Sequence, residues 1–187
     1  MNKTLIPILL SFLLFICFCF NAFSQKKDFL GVNISGEIRA EGENMILNNK
    51  VGMLLGFSYE RKFHNNFGAE TGILYRANPV NIYLPEGSID QKIIIEGFVS
   101  VPVLLKFYSG IINISLGGCF DYFIGGYDPK PVSDSKLIGY DINPNYYLGI
   151  VCKVSKDIKI SEKLILEPEL KYSGYPPPGD FSYFGIG

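Results

Sequence analysis

The chain contains one histidine, and this residue is the first candidate for catalysis. His64 stands in the segment His64-Asn65-Asn66, between two stretches with strand-like alternation. A hydrolase of the serine–histidine type needs a nucleophile and an oriented base within hydrogen-bond reach. Asn favours tight turns because it tolerates the left-handed backbone conformation, so His64 is predicted to be a turn residue. We therefore expect no catalytic residue and no enzyme.

Two glutamates have a spacing that could serve a proton or cation site. Glu167 and Glu169 are two residues apart, so they point to the same side of a strand. The structural alternative, which we favour, is salt bridging to lysines on the same side of neighbouring strands: Lys153, Lys159 and Lys171. No group of His, Cys, Asp or Glu has the spacing of metal ligands. We expect no metal site and no cofactor-binding site.

The cysteines give no disulfide framework. Two of the four lie in the N-terminal apolar stretch, and Cys119 and Cys152 remain. Alternation of side chains predicts that Cys119 points inward and Cys152 outward, on opposite faces of one sheet. A disulfide requires converging Cβ atoms about 3.5–4.5 Å apart, so we expect both thiols to stay free.

The N-terminus has the pattern of a secretion signal, Met1 to Ser24. Lys3 is followed by an apolar stretch from Leu5 to Phe20, and Ala22-Phe23-Ser24 supplies small residues at the cleavage site. Lys3 is the only charged residue of this leader, so the mature chain keeps all 18 acidic residues and loses one of 17 basic residues. This balance argues against a nucleic-acid partner, which requires a strongly basic face. Residues 25–187 are long enough for a single domain.

Alternation of apolar and polar residues dominates the mature chain. From Tyr146 to Ile160 one set of alternate positions is almost entirely apolar and the other is mostly polar. Period two indicates β-strands rather than helices. Eight such segments are predicted: Phe29–Ala40, Val51–Phe63, Phe67–Arg76, Gln91–Phe107, Ile112–Ile124, Tyr146–Ile160, Leu164–Tyr172 and Phe181–Gly187. Pro102, inside the fourth, lacks an N–H and is expected to mark an irregularity.

The connections between these segments alternate in length. Short connections follow the second, fourth and sixth segments, and longer ones follow the others, the longest being Gly125 to Asn145. Outer-membrane barrels have short periplasmic turns and longer external loops. The alternation therefore predicts an eight-stranded antiparallel up-and-down transmembrane β-barrel.

The charged residues of the predicted strands share one face and mix both signs. A Lys or Arg in the lipid midplane costs about 2–4 kcal/mol, so this face is predicted to point into the lumen, where opposite charges pair. Eight strands enclose an interior just wide enough for side chains, which predicts a plugged lumen. Aromatic residues on the other face are expected at the membrane interfaces: Phe63, Phe67 and Phe107 by the short turns, and Tyr75, Tyr122, Tyr146 and Tyr172 by the long loops.

Several stretches together resemble a known family. They are Gly31 to Ser35, the hairpin Gly52 to Tyr75, Val101 to Phe107 and Pro168 to Tyr172. In this order they are similar to the small outer-membrane β-barrel domain of Gram-negative bacteria that includes PorT-like proteins. The resemblance implies an eight-stranded barrel in the outer membrane and no single activity. The family's last strand runs on to a terminal aromatic residue, so the short final segment leads us to expect truncation.

These observations predict an outer-membrane barrel with a plugged polar lumen and a structural or surface-interaction role through its external loops. Its expected partners are outer-membrane lipid and a protein or other surface ligand. Two alternatives stay open at this point. One is a narrow channel for small polar solutes or ions. The other is a soluble, lipocalin-like periplasmic carrier, which would require the charged face to point outward.

Overall fold

The computed structural model describes residues 27–41, 46–83, 91–127, 145–162, 164–176 and 181–187. Ten strands account for most of these residues, and the described part of the chain contains no helix long and apolar enough to cross a membrane. The strands are β1 Lys27–Glu41, β2 Ile46–Lys62, β3 Phe67–Tyr83, β4 Gln91–Tyr108, β5 Asn113–Tyr127, β6 Tyr146–Ser155, β7 Ile158–Lys159, β8 Ile165–Leu166, β9 Glu169–Tyr175 and β10 Phe181–Ile186. The predicted leader, residues 1–24, lies outside the described residues and stays a prediction.

Eight of the strands close into an antiparallel barrel in the order β1-β10-β9-β6-β5-β4-β3-β2. The predicted fold class is therefore confirmed. β10 closes the barrel by pairing with β1 from Gly36–Ile186 to Glu41–Phe181. The part of β1 from Lys27 to Ser35 pairs with β2 alone among the described residues. The expectation of truncation stays a prediction.

Some strands end at other residues than predicted, because pairing with the neighbouring strand, rather than the alternation of residues, determines where a strand ends. β3 continues to Tyr83 instead of Arg76, because β4 pairs with it along the whole extension. β6 ends at Ser155 instead of Ile160, since Ser155 lies opposite Asn113, the first residue of β5. Beyond this point β7 and β8 form a separate two-stranded sheet. The predicted seventh strand is accordingly split into β8 and β9.

The irregularity expected at Pro102 is a gap in the β3–β4 ladder without a shift of register. Thr71 pairs with Val103 and Leu74 with Ser100, and no pair forms between them, because Pro102 has no N–H to donate. Pro102 is buried and stays in register opposite Cys119, and its carbonyl accepts a hydrogen bond of 2.8 Å from Thr71 Oγ1. The expected irregularity is therefore present on the β3 side of Pro102. The register between β4 and β5 shifts at Gly97–Phe98. The register between β1 and β2 also shifts, between Ile38 and Ala40.

The two faces of the sheet have the predicted chemistry. Apolar side chains such as Leu30, Phe57 and Ile150 are more than half exposed on the outside, while Arg76 and Lys106 are each 1% exposed. A soluble carrier would have the opposite arrangement, so the lipocalin-like alternative is wrong. Phe67, Phe107 and Tyr146 are exposed near strand ends as expected. Tyr75, Tyr122 and Tyr172 point outward within their strands instead, because β3, β5 and β9 extend beyond their predicted ends.

Candidate functional site

The middle of the lumen holds an ion-pair network centred on Arg76. Its Nε donates to Glu37 Oε2 at 2.7 Å, and its Nη1 donates to Asp121 Oδ2 and to Tyr175 Oη, the latter at 2.7 Å. Lys171 Nζ lies 2.7 Å from the other oxygen of Glu37. We call these five residues the central cluster. One guanidinium thereby joins three acceptors from three strands, which the planar fork of Arg permits and a lysine does not.

Further hydrogen bonds complete the central cluster on the β5 side. Tyr175 Oη donates to Asp121 Oδ2 at 2.6 Å, and Ser100 Oγ donates to the second oxygen of Asp121. Cys119 Sγ lies 3.0 Å from Tyr175 Oη. Each buried charge in the cluster therefore has an opposite charge or a hydroxyl within hydrogen-bond distance. This pairing is what makes burial of charge tolerable in a low-dielectric interior.

Aromatic rings fill the lumen between the central cluster and the long-loop end. Phe181 stacks on Tyr175 with ring centroids 4.8 Å apart and meets Tyr147 edge-on at 5.2 Å. Phe98 contacts Phe123 at 5.4 Å and Tyr147 at 6.2 Å. We call Phe98, Phe123, Tyr147 and Phe181 the aromatic layer. Edge-on and offset contacts of this kind add about 0.5–1.5 kcal/mol each beyond burial of area.

A second ion pair lies beside the aromatic layer. Arg39 Nη1 donates to Glu96 Oε2 at 2.6 Å, and the Arg39 guanidinium lies 4.4 Å from the centroid of the Phe181 ring. The Arg76 guanidinium lies at the same distance from the ring of Tyr183, which is 1% exposed. These cation–π contacts link the charged residues of the lumen to its aromatic residues.

Near the short turns two lysines share four glutamates. Lys106 Nζ donates to Glu60 and to Glu167, both at 2.5 Å. Lys153 Nζ donates to Glu70 at 2.6 Å and lies 3.1 Å from Glu169 and 3.9 Å from Glu167. We call the two lysines and four glutamates the short-turn cluster. The predicted salt bridges of Glu167 and Glu169 to Lys153 are thus present.

The other two lysines expected beside these glutamates lie elsewhere. Lys171 pairs with Glu37 in the central cluster, and Lys159 is exposed on β7, beyond the barrel wall. The reason is register: β6 leaves the barrel at Ser155, so Lys159 never reaches the lumen. The short-turn cluster therefore carries two more negative than positive charges. Arg39, Arg76 and Lys171, by contrast, balance Glu37, Glu96 and Asp121 in number.

A cavity of about 20 Å³ lies between the two clusters. It is lined by polar and apolar side chains that include Arg76, Lys153, Glu70, Leu104 and Cys119. A cavity of this size admits about one water molecule. The lining of this cavity therefore joins the central cluster to the short-turn cluster.

The histidine and the cysteines that the sequence offered as candidates for chemistry do not lie together in one site. His64 lies in the exposed β2–β3 turn, where its Nδ1 accepts from the backbone N–H of Asn66 at 3.4 Å. Cys119 is buried and Cys152 exposed, as the alternation predicted, and both thiols are free. Across the described ranges, no group of three or more His, Cys, Asp or Glu could hold a metal ion.

The aromatic layer is the part of the lumen that the sequence analysis missed. Its signal was present, since Phe98 stands between Glu96 and Ser100 on the polar face of β4. Tyr147 likewise shares a face with Lys153 on β6. An aromatic residue at a polar-face position of a barrel strand therefore indicates lumen filling rather than a lipid-facing girdle.

Comparison with known proteins identifies the architecture. No family model matches the chain, and no curated protein matches it. Among solved structures it is similar to Ail, the attachment invasion locus protein of Yersinia pestis, in complex with the heparin analogue sucrose octasulfate. That match has a TM-score of 0.54 and 11% identity over 87% of this chain and 95% of Ail. A second structure of Ail gives a TM-score of 0.51 at the same identity, over 88% of this chain and 95% of Ail.

The chain is a transmembrane β-barrel of the outer-membrane type. Its lipid-facing belt, its charged interior and its eight-stranded closure all agree with that architecture. At 11% identity the likeness to Ail concerns the fold alone.

Proposed function

We propose that this protein is a sealed outer-membrane barrel that acts at the cell surface through its long loops, as a binding or structural element. The observation that carries the proposal is the filling of the lumen. Arg76 joins three strands in mid-barrel, and the aromatic layer covers this network toward the long loops. A barrel filled in this way supports no solute path, so the loops are the part left to interact.

The loops at that end are acidic, which constrains the partner. The segments 42–45, 84–90, 128–144 and 177–180 contain seven acidic residues and two lysines: Glu43, Glu86, Asp90, Asp128, Asp134, Asp141 and Asp180, with Lys130 and Lys136. Their predicted external position stays part of the proposal, and these segments lie outside the described residues. Complementary charge favours a cationic or neutral partner. A sulfated glycan such as the heparin analogue bound to Ail does not fit this charge.

A narrow cation channel is the second candidate, and the short-turn cluster favours it. Four glutamates against two lysines leave a negative surplus at one end of the lumen. Rings of carboxylates select cations in channels. The channel would require the aromatic layer and the central cluster to part.

Planar-bilayer recording distinguishes the two candidates. The purified full-length barrel, inserted into a lipid bilayer, is expected to give no unitary currents in KCl over a range of voltages. Discrete cation-selective steps in the wild-type protein would overturn the sealed barrel and favour the channel. A known porin in the same bilayers controls for insertion and detection.

Loop shortening tests the surface role. Replacing residues 128–144 by a two-residue turn removes the longest loop and leaves the described strands intact. We expect the wild-type barrel in zwitterionic micelles to bind immobilised polylysine more strongly than the shortened variant, and neither to bind heparin. Heparin retention of the wild type, or equal polylysine binding by both proteins, would contradict the proposal. Protease added to intact cells is expected to cut within residues 128–144, which tests the topology independently.

Kinship with PorT-like proteins is also proposed, on the order of the four stretches that carry the resemblance. The network of Arg76, Glu37 and Asp121 makes it testable. A structure of a PorT-like protein with the same inward triad on its first, third and fifth strands would support the kinship. Unrelated residues at those positions would argue against it.

A further inference from the structure

The hairpin beyond the barrel wall is an unusual element. We call residues 156–162 and 164–168 the ribbon; within it β7 pairs with β8, Ile158 opposite Leu166 and Lys159 opposite Ile165. The backbone N–H of Ile160 donates to the carbonyl of Leu164 at 3.0 Å. No other described strand pairs with the ribbon. A two-stranded sheet is marginally stable in water unless one of its faces is packed.

One face of the ribbon is strongly apolar. Ile158, Ile160, Leu164 and Leu166 are between 43% and 59% exposed, and the pairing places all four on the same face. The opposite face carries Lys159, which is also exposed. A cluster of four large aliphatic side chains on so small an element requires a cover.

The apolar face continues the lipid-facing surface of the barrel. Along β6 the outward positions are Leu148, Ile150, Cys152 and Val154, and the same alternation leads through Lys156 to Ile158 and Ile160. Along β9 the outward Leu170 leads back through Pro168 to Leu166 and Leu164. The surface that contacts lipid on the barrel wall is therefore the surface that the ribbon extends.

The neighbouring turn agrees with this continuity. Ile111 and Ile112, in the β4–β5 turn, are 77% and 41% exposed. The β2–β3 turn on the other side of the barrel presents His64, Asn65 and Asn66 instead. One sector of the short-turn rim is thus apolar and another polar. The charged residues of the ribbon mix both signs, so its apolar face and not its charge is the feature that suits a lipid surface.

We propose that the ribbon lies in the headgroup region of the leaflet at the short-turn end, with its apolar face against the acyl chains. It anchors one side of the barrel rim to phospholipid. This proposal rests on the transmembrane architecture and not on the sealed lumen or the external loops. A periplasmic protein or a second copy of the chain covering the same face would be a different occupant, and the experiment below separates them.

The chain contains no tryptophan, so single substitutions give unambiguous fluorescence. Ile160→Trp reports on the apolar face, Lys159→Trp on the opposite face one residue away, and Leu148→Trp on the established lipid-facing wall. Each full-length variant is reconstituted into phosphatidylcholine–phosphatidylglycerol vesicles, with or without bromine atoms near the headgroup end of the acyl chains. Heat-modifiable mobility on gels confirms that each barrel is folded.

We expect bromolipid to quench Ile160→Trp, with a blue-shifted emission maximum, and to quench Lys159→Trp much less. Aqueous acrylamide is expected to give the reverse order. If Ile160→Trp is open to acrylamide and insensitive to bromolipid, the ribbon projects into water and the proposal fails. Shielding from both quenchers that increases with the protein-to-lipid ratio would assign the face to a second copy. Protection from acrylamide only after addition of a periplasmic extract would assign it to a protein.

Discussion

The central and short-turn clusters bury charge in the same lumen by different means. In the central cluster one guanidinium joins Glu37, Asp121 and Tyr175, and the charges around it balance in number. In the short-turn cluster two ammonium groups serve four glutamates, and the side chains of Glu60 and Glu167 remain 14% and 25% exposed. The first network is closed over by aromatic rings, whereas the second opens toward the rim.

This difference predicts which mutations of lumen residues will lower the free energy of unfolding most. A buried pair gains little over an apolar core, but removing one partner leaves an uncompensated charge. That cost is high where water is excluded and lower where water can replace the lost partner. Mutations in the central cluster should therefore have larger effects than equivalent mutations near the short turns.

The largest effect is expected for Arg76→Met. This change removes the cationic partner that Glu37 and Asp121 share in the middle of the lumen. Lys171 contacts only Glu37, so Asp121 is left without a cation. Loss of one partner of a buried pair costs about 3–5 kcal/mol. Urea titration in lipid vesicles, followed by heat-modifiable mobility, should show this decrease in the free energy of unfolding.

Arg76→Lys is the matched control, since it keeps the charge and loses the planar fork. Its effect should lie between wild type and Arg76→Met. A loss below about 1 kcal/mol for Arg76→Met, the size typical of an exposed pair, would show that the centre is hydrated and would remove the distinction between the clusters.

Phe181→Ala tests the cover over the central cluster. The Phe181 ring contacts Tyr147 and Tyr175 and lies under the Arg39 guanidinium. Truncating a buried Phe costs about 3 kcal/mol or more, and we also expect brief unitary currents in planar bilayers. Phe120→Ala, on the lipid-facing side of β5, should give no currents. Equal conductance in the two variants would mean that aromatic rings do not seal the lumen.

Lys106→Met is the counterpart of Arg76→Met at the short-turn end. It removes the shared partner of Glu60 and Glu167, whose carboxylates reach the rim. Because water can solvate them there, we expect a loss of about 1–3 kcal/mol in the same urea titration. A loss as large as that of Arg76→Met would indicate that the short-turn cluster is as dry as the central one.

The smallest effect is expected for Glu167→Gln. Lys106 retains Glu60, and Lys153 retains Glu70 and Glu169. Removing one charge also reduces the negative surplus, so the free energy of unfolding should change by less than about 1 kcal/mol. Glu37→Gln, in the balanced cluster, should cost distinctly more. Equal effects of the two substitutions would show that the negative surplus of the short-turn cluster does not affect stability.

The sequence allowed the sheet faces to be predicted because alternation is local. Strict period two placed Arg76, Lys106 and Lys153 inside and Leu55 and Ile150 outside, and the structure agrees. The free thiols followed from the same rule. Eight barrel strands and the alternation of short and long connections could likewise be read from turn residues and segment lengths.

The partners of the charged residues could not be predicted, because register is a property of two strands. Lys171 pairs with Glu37 because β10 places β9 and β1 two strands apart, which no local pattern encodes. The ribbon could not be predicted for a related reason. The alternation continues to Ile160, but β6 leaves the barrel at Ser155, because Ser155 pairs with Asn113, the first residue of β5. A pattern shows which side chains share a face but not how many strands share a sheet.

The two free cysteines allow opening of the lumen to be followed with thiol reagents, without any substitution. Cys152 faces the acyl chains, while Cys119 lies behind the wall, 3.0 Å from the hydroxyl of Tyr175. A small, charged thiol reagent can reach Cys119 only through water in the lumen, and thiolate formation there would need the same water. The rate of Cys119 modification therefore measures how often the central cluster opens. A lipid-soluble maleimide at Cys152 provides an internal standard for the folded, inserted state.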